Sequence, residues 1–401
     1  MQDNANRLRG LDFDRVFGAL DDFRIELPSW GFANTGTRFG KFVQGGAATT
    51  IEEKFADAAQ VNALTGASPT IALHVLWDLP KGKGDVAEIQ RLEKKYGVKA
   101  GSINPNLFQD QEYKFGSIAN PSAEIRGNAL AHLLDSVEIA RALGSRDVSL
   151  WIADGSNYPG TQSVRRRIEW MQEVLKLTHD ALGEGQRMLV EYKPFEPAFY
   201  HTDIADWGMA LELSRHSGPK AKVLVDTGHH YQGTNIEQIV AWLLHLGALG
   251  GFHFNDRKYA DDDLTLGSID PYQVFRIFHE ILSASDEERA GIAFMIDQSH
   301  NLKGKLEAMV QTVVTAQEIY AKAALVDREK LAGLQQECRL VEAEECFRGA
   351  LWTDVRSMVR EWRVERGFPA HPLEALANSG YVEKVTEERS SRNAKSASSY
   401  A

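Results

Sequence analysis

Short apolar runs alternate with longer stretches of 3.6-residue periodicity across the first four-fifths of this chain. The runs fall at 23–27, 70–75, 98–104, 148–153, 188–192, 222–226, 251–254 and 292–297, and each gives way to polar residues or glycine. Their nearly unbroken apolar character fits strands buried on both faces of a parallel sheet. Helical stretches such as IEEKFADAAQVNAL, DVAEIQRLEKKYG, ALAHLLDSVEIARALG, VRRRIEWMQEVLKLTHDALG and IEQIVAWLLHLG lie between them. Gly97, Gly144, Gly183 and Gly247 follow helical stretches, as left-handed terminators do. Eight such βα units predict an α/β fold, a (β/α)8 TIM barrel over residues 1–325. A doubly wound sheet would carry a Gly-rich phosphate turn after its first strand, and neither GxGxxG nor GxxxxGK[ST] occurs.

Beyond the barrel, residues 326–388 read as a helical extension, broken at Pro369 and Pro372. The apolar face of VRSMVREW and of the helices before it has no strand left to cover, which predicts an oligomerisation arm and a homotetramer. The polar end 389–401, closing in SSRNAKSASSYA, reads as a flexible tail.

Composition narrows the function classes. With 43% hydrophobic and 25% charged residues the chain has ordinary globular usage. Lys plus Arg number 45 against 56 Asp plus Glu, a net charge of −11, so nothing draws the chain as a whole to nucleic acid or to an anionic membrane. No apolar run approaches the ~20 residues of a membrane span, and the N-terminus lacks a signal core; a cytoplasmic location is expected. Cys338 and Cys346 fall in one predicted helix, two turns apart, too distant to bridge.

In a barrel of this kind reactive groups sit at the carboxyl ends of the strands. The fifth run ends LVEYKP, the sixth VLVDTGHH, the seventh GFHFND and the eighth FMID, which brings Glu191, Lys193, Asp226, His229, His253 and Asp297 to one rim, with Asp261, Asp262 and Asp263 in the loop after the seventh. So many carboxylates would repel one another unless a cation lay between them. Oxygen and imidazole donors without thiolate suit Mn, Mg, Co or Zn ions. Alternation along an extended segment lets Glu191 and Lys193 share a face, as can Asp261 and Asp263, with Asp262 pointing away. Taken singly, each such residue is a common strand end or helix cap; four consecutive strands ending in Glu, Asp, His and Asp have no ordinary packing explanation.

The segments WGFANTGTRFGKF, ALHVLWD, VEYKPFEP, VLVDTGHH, GGFHFNDRKYADDDLTLGSIDP and FMIDQSHN resemble the L-rhamnose isomerase family, in its bacterial branch of broad aldose specificity. The resemblance implies two divalent metal ions per subunit, Mn2+ foremost with Co2+, Mg2+ or Zn2+ as substitutes. Glu191, Asp226, His253 and Asp297 would hold a structural ion, and His229, Asp261 and Asp263 a catalytic one. It further implies aldose–ketose interconversion, with hydrogen passing between C1 and C2 of the sugar. Lys193, His229 and Asp297 are then the catalytic candidates; the bland role for Lys193 is a salt bridge to Glu191 or Glu196.

The early strands supply a sugar pocket: Trp30 after the first, His74 closing the second, Phe108 after the third and Trp151 closing the fourth, with Asn104, Asp154 and Asn255 as further polar candidates. The loop from Ser29 to Gly45 is rich in glycine and aromatics, and the resemblance implies that its Phe39 reaches a neighbouring subunit's pocket. The partners expected are a small aldose or ketose and further copies of the chain, with no nucleic acid and no membrane. Rival readings are a xylose-type isomerase, a ketohexose epimerase, an endonuclease of the same architecture, and a non-catalytic sugar-binding barrel.

Overall fold

A computed structural model describes residues 13–34, 42–194 and 201–397. Helix α1 (Phe13–Asp22) precedes the barrel. The strands are β1 (Leu27–Pro28), β2 (Thr70–His74), β3 (Lys99–Asn104), β4 (Asp147–Leu150), β5 (Arg187–Glu191), β6 (Ala221–Asp226), β7 (Leu249–Phe254) and β8 (Ala293–Ile296). Helices α2 (Ile51–Thr65), α3 (Val86–Tyr96), α4 (Ala123–Leu143), α5 (Val164–Ala181), α6 (Trp207–Ser217), α7 (Ile236–His245) and α8 (Pro271–Ser283) alternate with the strands. A short α9 (Asp286–Ala290) leads into β8, and α10 (Lys305–Ala324) follows it. All eight strands are parallel and stand side by side in chain order, and Glu26 bridges Met295 to join the first strand to the last. This is the predicted TIM barrel.

Local chemistry sets the helix limits. Thr50 and Glu53 form a reciprocal capping box at the start of α2, while Ser122, Ser163, Asp206, Asn235 and Asp270 cap α4 to α8 through their side chains. Gly97 and Gly144 take the left-handed conformation after α3 and α4, and Gly247 does so just past α7. Gly183 does not, because α5 ends at Leu182 in an extended conformation. The strand alternation sorts side chains into two layers. Val190, Val223, Val225, Phe252, Phe254 and Ile296 join the main core beneath the helices, whereas Leu189, Leu224 and Met295 form a separate buried cluster.

The extension comprises α11 (Arg328–Gln336), α12 (Leu340–Trp352), α13 (Arg356–Glu365), α14 (Pro372–Asn378) and α15 (Tyr381–Ala397). Three expectations change here. Cys338 lies in the turn between α11 and α12 at φ +55°, so the two cysteines are not on one helix. The apolar side of VRSMVREW is covered within the chain: Val355, Met358, Val359 and Trp362 pack on Val16 and Leu20 of α1 and on Ala321 and Ala324 of α10. The stretch 389–397 is helix rather than irregular tail, and its Arg389 and Asn393 are buried against the barrel. Tertiary contacts, which composition alone does not register, hold a polar sequence in place here. Among the described residues no helix is long and apolar enough to cross a membrane.

Candidate active site

The alternation that buries Leu189, Leu224 and Met295 carries the chain two residues further to Glu191, Asp226 and Asp297, and His253, one residue before the end of β7, stands beside them. These four side chains offer donor atoms that all lie within 4.8 Å of one another. His253 Nδ1 is 3.2 Å from Glu191 Oε1 and 3.9 Å from carboxylate oxygens of Asp226 and Asp297. A second set of the same compactness is Asp226, His229 and Asp261. His229 Nε2 stands 3.8 Å from Asp226 and 3.6 Å from Asp261, and its Nδ1 donates to the Tyr192 carbonyl at 3.0 Å. A carbonyl only accepts, so Nδ1 carries a proton, while Nε2 faces Asp226 and Asp261, whose charges override burial and raise this imidazole well above its ordinary value; a metal ion at Nε2 would take the place of that second proton.

The second set differs from the expected one in two respects. Asp226 belongs to both groups, and Asp263 is in neither; it sits half-buried on the same loop at φ +47°. Asp262 turns away as the alternation requires, its carboxylate accepting from the backbone of Lys258, Tyr259 and Ala260 to fold the loop. Gly228 is where the β6 loop crosses the site. A Cβ there would stand 2.6 Å from Asn255 Oδ1, 3.1 Å from Asp261 and 3.2 Å from Asp226.

The electrostatics fit a cation. Burial, reinforced by Glu191, Asp261 and Asp297, outweighs the nearby His229 and pushes the Asp226 carboxyl up to about 7. Burial also raises Asp297, against the pull of His253. Burial would lift Glu191 as well, but the flanking imidazoles hold it down at about 2. For His253, burial opposes charge and Glu191 overrides it, raising the imidazole to about 9. Protons are thus drawn to the point where a divalent ion would neutralise three carboxylates, and oxygen and nitrogen donors without sulfur are the set such ions take. The acids are also held in place: Asn255 donates to both oxygens of Asp226 and to the Asp297 carbonyl, and Trp30 Nε1 donates to Asp297 Oδ1 at 2.7 Å.

Lys193 pairs with neither Glu191 nor, among the described residues, another glutamate; its Nζ meets Asp261 Oδ2 at 2.6 Å and lies 4.9 Å from the Trp151 ring centre. Glu196 and Phe39 fall outside the described residues. The early-strand aromatics do converge. His74 meets Trp30 edge-on with centres 6.0 Å apart and Phe108 at 5.5 Å, and Phe108 lies 4.7 Å from Trp151. Trp77, which the sequence reading passed over, lies tilted over His74 with ring centres 4.0 Å apart and donates to Gln109. The signal for it was present in HVLWD: Leu76 takes φ +79° and Asp78 accepts from His74 N, Ser29 and Lys54, which folds the turn back and lays Trp77 over His74. Burial drops His74 to about 4, so the ring is neutral. Asp154 does not join the site; it accepts from Ser117 and Ala119 and organises a neighbouring loop.

Eight strands in singly wound order with a carboxylate–imidazole cluster at their C-terminal rim define a TIM barrel with a candidate metal site. The chain belongs to the xylose isomerase-like TIM-barrel family, whose profile matches residues 64–284. It is 39% identical over 388 residues to a probable sugar isomerase of Rhizobium meliloti, covering 95% of this chain and 90% of that one. A xylose isomerase of Thermus thermophilus is 27% identical over 191 residues, 43% of this chain and 46% of its own. Among solved structures, L-ribulose 3-epimerase superposes with a TM-score of 0.55 over 80% of this chain and 98% of its own at 13% identity, a likeness of fold.

Proposed function

We propose that this protein is a divalent-metal-dependent aldose–ketose isomerase, with L-rhamnose and L-rhamnulose as its sugar pair and D-allose and D-psicose as related substrates. The observation that carries the reading is the pair of overlapping donor sets sharing Asp226, set beside a neutral histidine and an aromatic wall. Glu191, Asp226, His253 and Asp297 would hold one ion and His229, Asp261 and Asp226 the other, with Asp263 adjoining; Mn2+ suits the donors, and Co2+, Mg2+ or Zn2+ could replace it. Ions in such sites polarise a sugar carbonyl and stabilise negative charge developing on oxygen. Lys193, fixed by Asp261 against Trp151, presents its ammonium to a substrate oxygen and offsets that charge. His74 can exchange a hydrogen bond with a sugar hydroxyl without bringing charge, and the aromatic faces cover the sugar's C–H groups and exclude water. Trp151 Nε1 is buried with no acceptor among the described residues, which leaves a donor for a hydroxyl. A homotetramer in the cytoplasm completes the proposal, with exposed Leu340, Val341 and Trp352 of α12 as its contact candidates.

The test is a panel of aldoses with the EDTA-stripped protein, read by ketose formation before and after Mn2+. Turnover of L-rhamnose that appears with Mn2+ and falls by orders of magnitude in His229→Asn supports the reading. A ketose added to the panel and inverted only at C3, with no aldose turnover, would assign an epimerase, and full turnover in EDTA would refute metal dependence.

A further inference from the structure

Helix α15 takes no part in the chemistry above, yet two of its polar side chains are almost completely buried: Arg389 is 2% exposed and Asn393 is 3% exposed. Asn393 Nδ2 donates to the carbonyls of Gly45 (2.8 Å) and Ala47 (2.9 Å), and its Oδ1 accepts from Asn34 Nδ2 at 2.9 Å. Arg389 donates to the Gly46 carbonyl at 3.0 Å and is itself anchored on Asp57 of α2, which also accepts from Tyr381. Helix and loop backbone touch closely enough that a Cβ on Gly45 would lie 2.7 Å from Ser390 Oγ, and one on Gly46 2.7 Å from Thr386 Oγ1.

Asn34 and residues 44–48 are the two feet of the segment that follows β1. They are tied to each other, Asn34 to the Gln44 backbone in both directions and Ala48 N to Phe32 O. They are also tied to the loop between β8 and α10, where Gln44 Nε2 donates to the carbonyls of His300 and Lys303. Trp30 stands between, on the helical turn Ser29–Phe32, with its indole N–H on Asp297.

We infer that α15 is a positioning element of the metal centre: Asn393, with Arg389, fixes the feet of this segment and so keeps Trp30 on Asp297. The inference rests on the reading of Glu191, Asp226, His253 and Asp297 as metal ligands. Groups that orient a ligand typically change metal affinity by 10–100-fold when removed, so Asn393→Ala should weaken Mn2+ binding by about tenfold although it lies on the far helix.

The experiment is calorimetric titration of the EDTA-stripped full chain with Mn2+ in wild type, Asn393→Ala, Trp30→Phe and the double variant. Arg392→Ala, on the same helix as Asn393, removes a half-exposed ion pair to Glu53 of α2 and serves as control. If Asn393 acts through Trp30, the losses do not add: the double variant matches Trp30→Phe, and Arg392→Ala matches wild type. Gly46→Ala, whose Cβ crowds the Thr386 hydroxyl on α15 without removing a polar group, should give a smaller loss of the same sign and serves if Asn393→Ala does not fold. Wild-type affinity in the folded variant, or fully additive losses, would overturn the positioning role while leaving the metal reading intact. A wild-type chain that binds no Mn2+ would overturn both.

Discussion

Removing metal should make the protein's stability fall as pH rises. In the metal-free fold the Asp226 carboxyl is pushed up to about 7 by burial and its acidic neighbours, and the His253 imidazole is raised to about 9 because Glu191 overcomes the cost of its burial. A group whose pKa is raised by folding contributes stability that is complete below its unfolded value and lost as pH climbs through the folded one. For Asp226 that window runs from 3.8 to about 7, and for His253 from 6.5 to about 9. Glu191 moves the other way, and its contribution is lost only in acid, between 4.5 and about 2. At ~1.4 kcal/mol per pKa unit the two raised groups, both fully buried, amount to several kcal/mol singly. They share one field and do not add, and between pH 5 and 9 only about the upper two pH units of the Asp226 window are crossed, so the loss over that range is on the order of 3 kcal/mol. A chain of 401 residues unfolds with an entropy on the order of 0.8 kcal/mol/K, so the melting temperature should drop by about 4 °C between pH 5 and 9. Mn2+ at a hundred times its Kd should restore about 2.7 kcal/mol at pH 8 and much less at pH 5, where protons compete for the same atoms. Differential scanning fluorimetry of EDTA-treated wild type against Asp226→Asn isolates the effect, since the variant loses the lower window. A wild-type curve that is flat or rising from pH 5 to 8 relative to the variant would refute the argument.

Four further outcomes follow. Asp226→Asn should lower metal content at both sets at once, because that carboxylate is common to them, whereas His253→Ala should empty one; elemental analysis per subunit reads the difference. Lys193→Met should cut kcat by more than tenfold with a smaller change in KM, since it also strips Asp261 of its cation; unaltered kcat would make the lysine a structural counter-ion. Trp77→Ala should raise KM for the aldose by several-fold and leave Mn2+ affinity unchanged, checked by initial rates and titration. Trp362→Ala should destabilise the fold by about 3–5 kcal/mol by opening the small core between α1, α10 and α13, measured by denaturant unfolding; a mere change of oligomer mass in light scattering with unchanged stability would instead place this tryptophan at a subunit contact.

How much of the site could be read in advance follows from barrel topology. In a singly wound barrel, neighbours in sequence are neighbours in space, and the inward face recurs every second residue. Glu191, Asp226, His253 and Asp297 each end or adjoin a strand, so four short motifs were enough to bring them together. The same alternation placed Asp262 outside the cluster, where it folds its own loop. It does not reach Asp263, which sits at φ +47° rather than in extended backbone and lies outside both donor sets.

Periodicity, capping residues and local spacing were enough to define the eight βα units, their order and the donor set at the strand ends. Tertiary structure decided the rest. Trp30 meets Asp297 across 267 positions and Asn34 meets Asn393 across 359, and no local pattern encodes a hydrogen bond over such a span. It also decided that Asp226 serves both donor sets, that Trp77 covers His74, and that the apolar face of α13 is buried within its own chain. Packing energy is gained between surfaces, and which surfaces meet is fixed only when the loops have chosen their paths over the barrel.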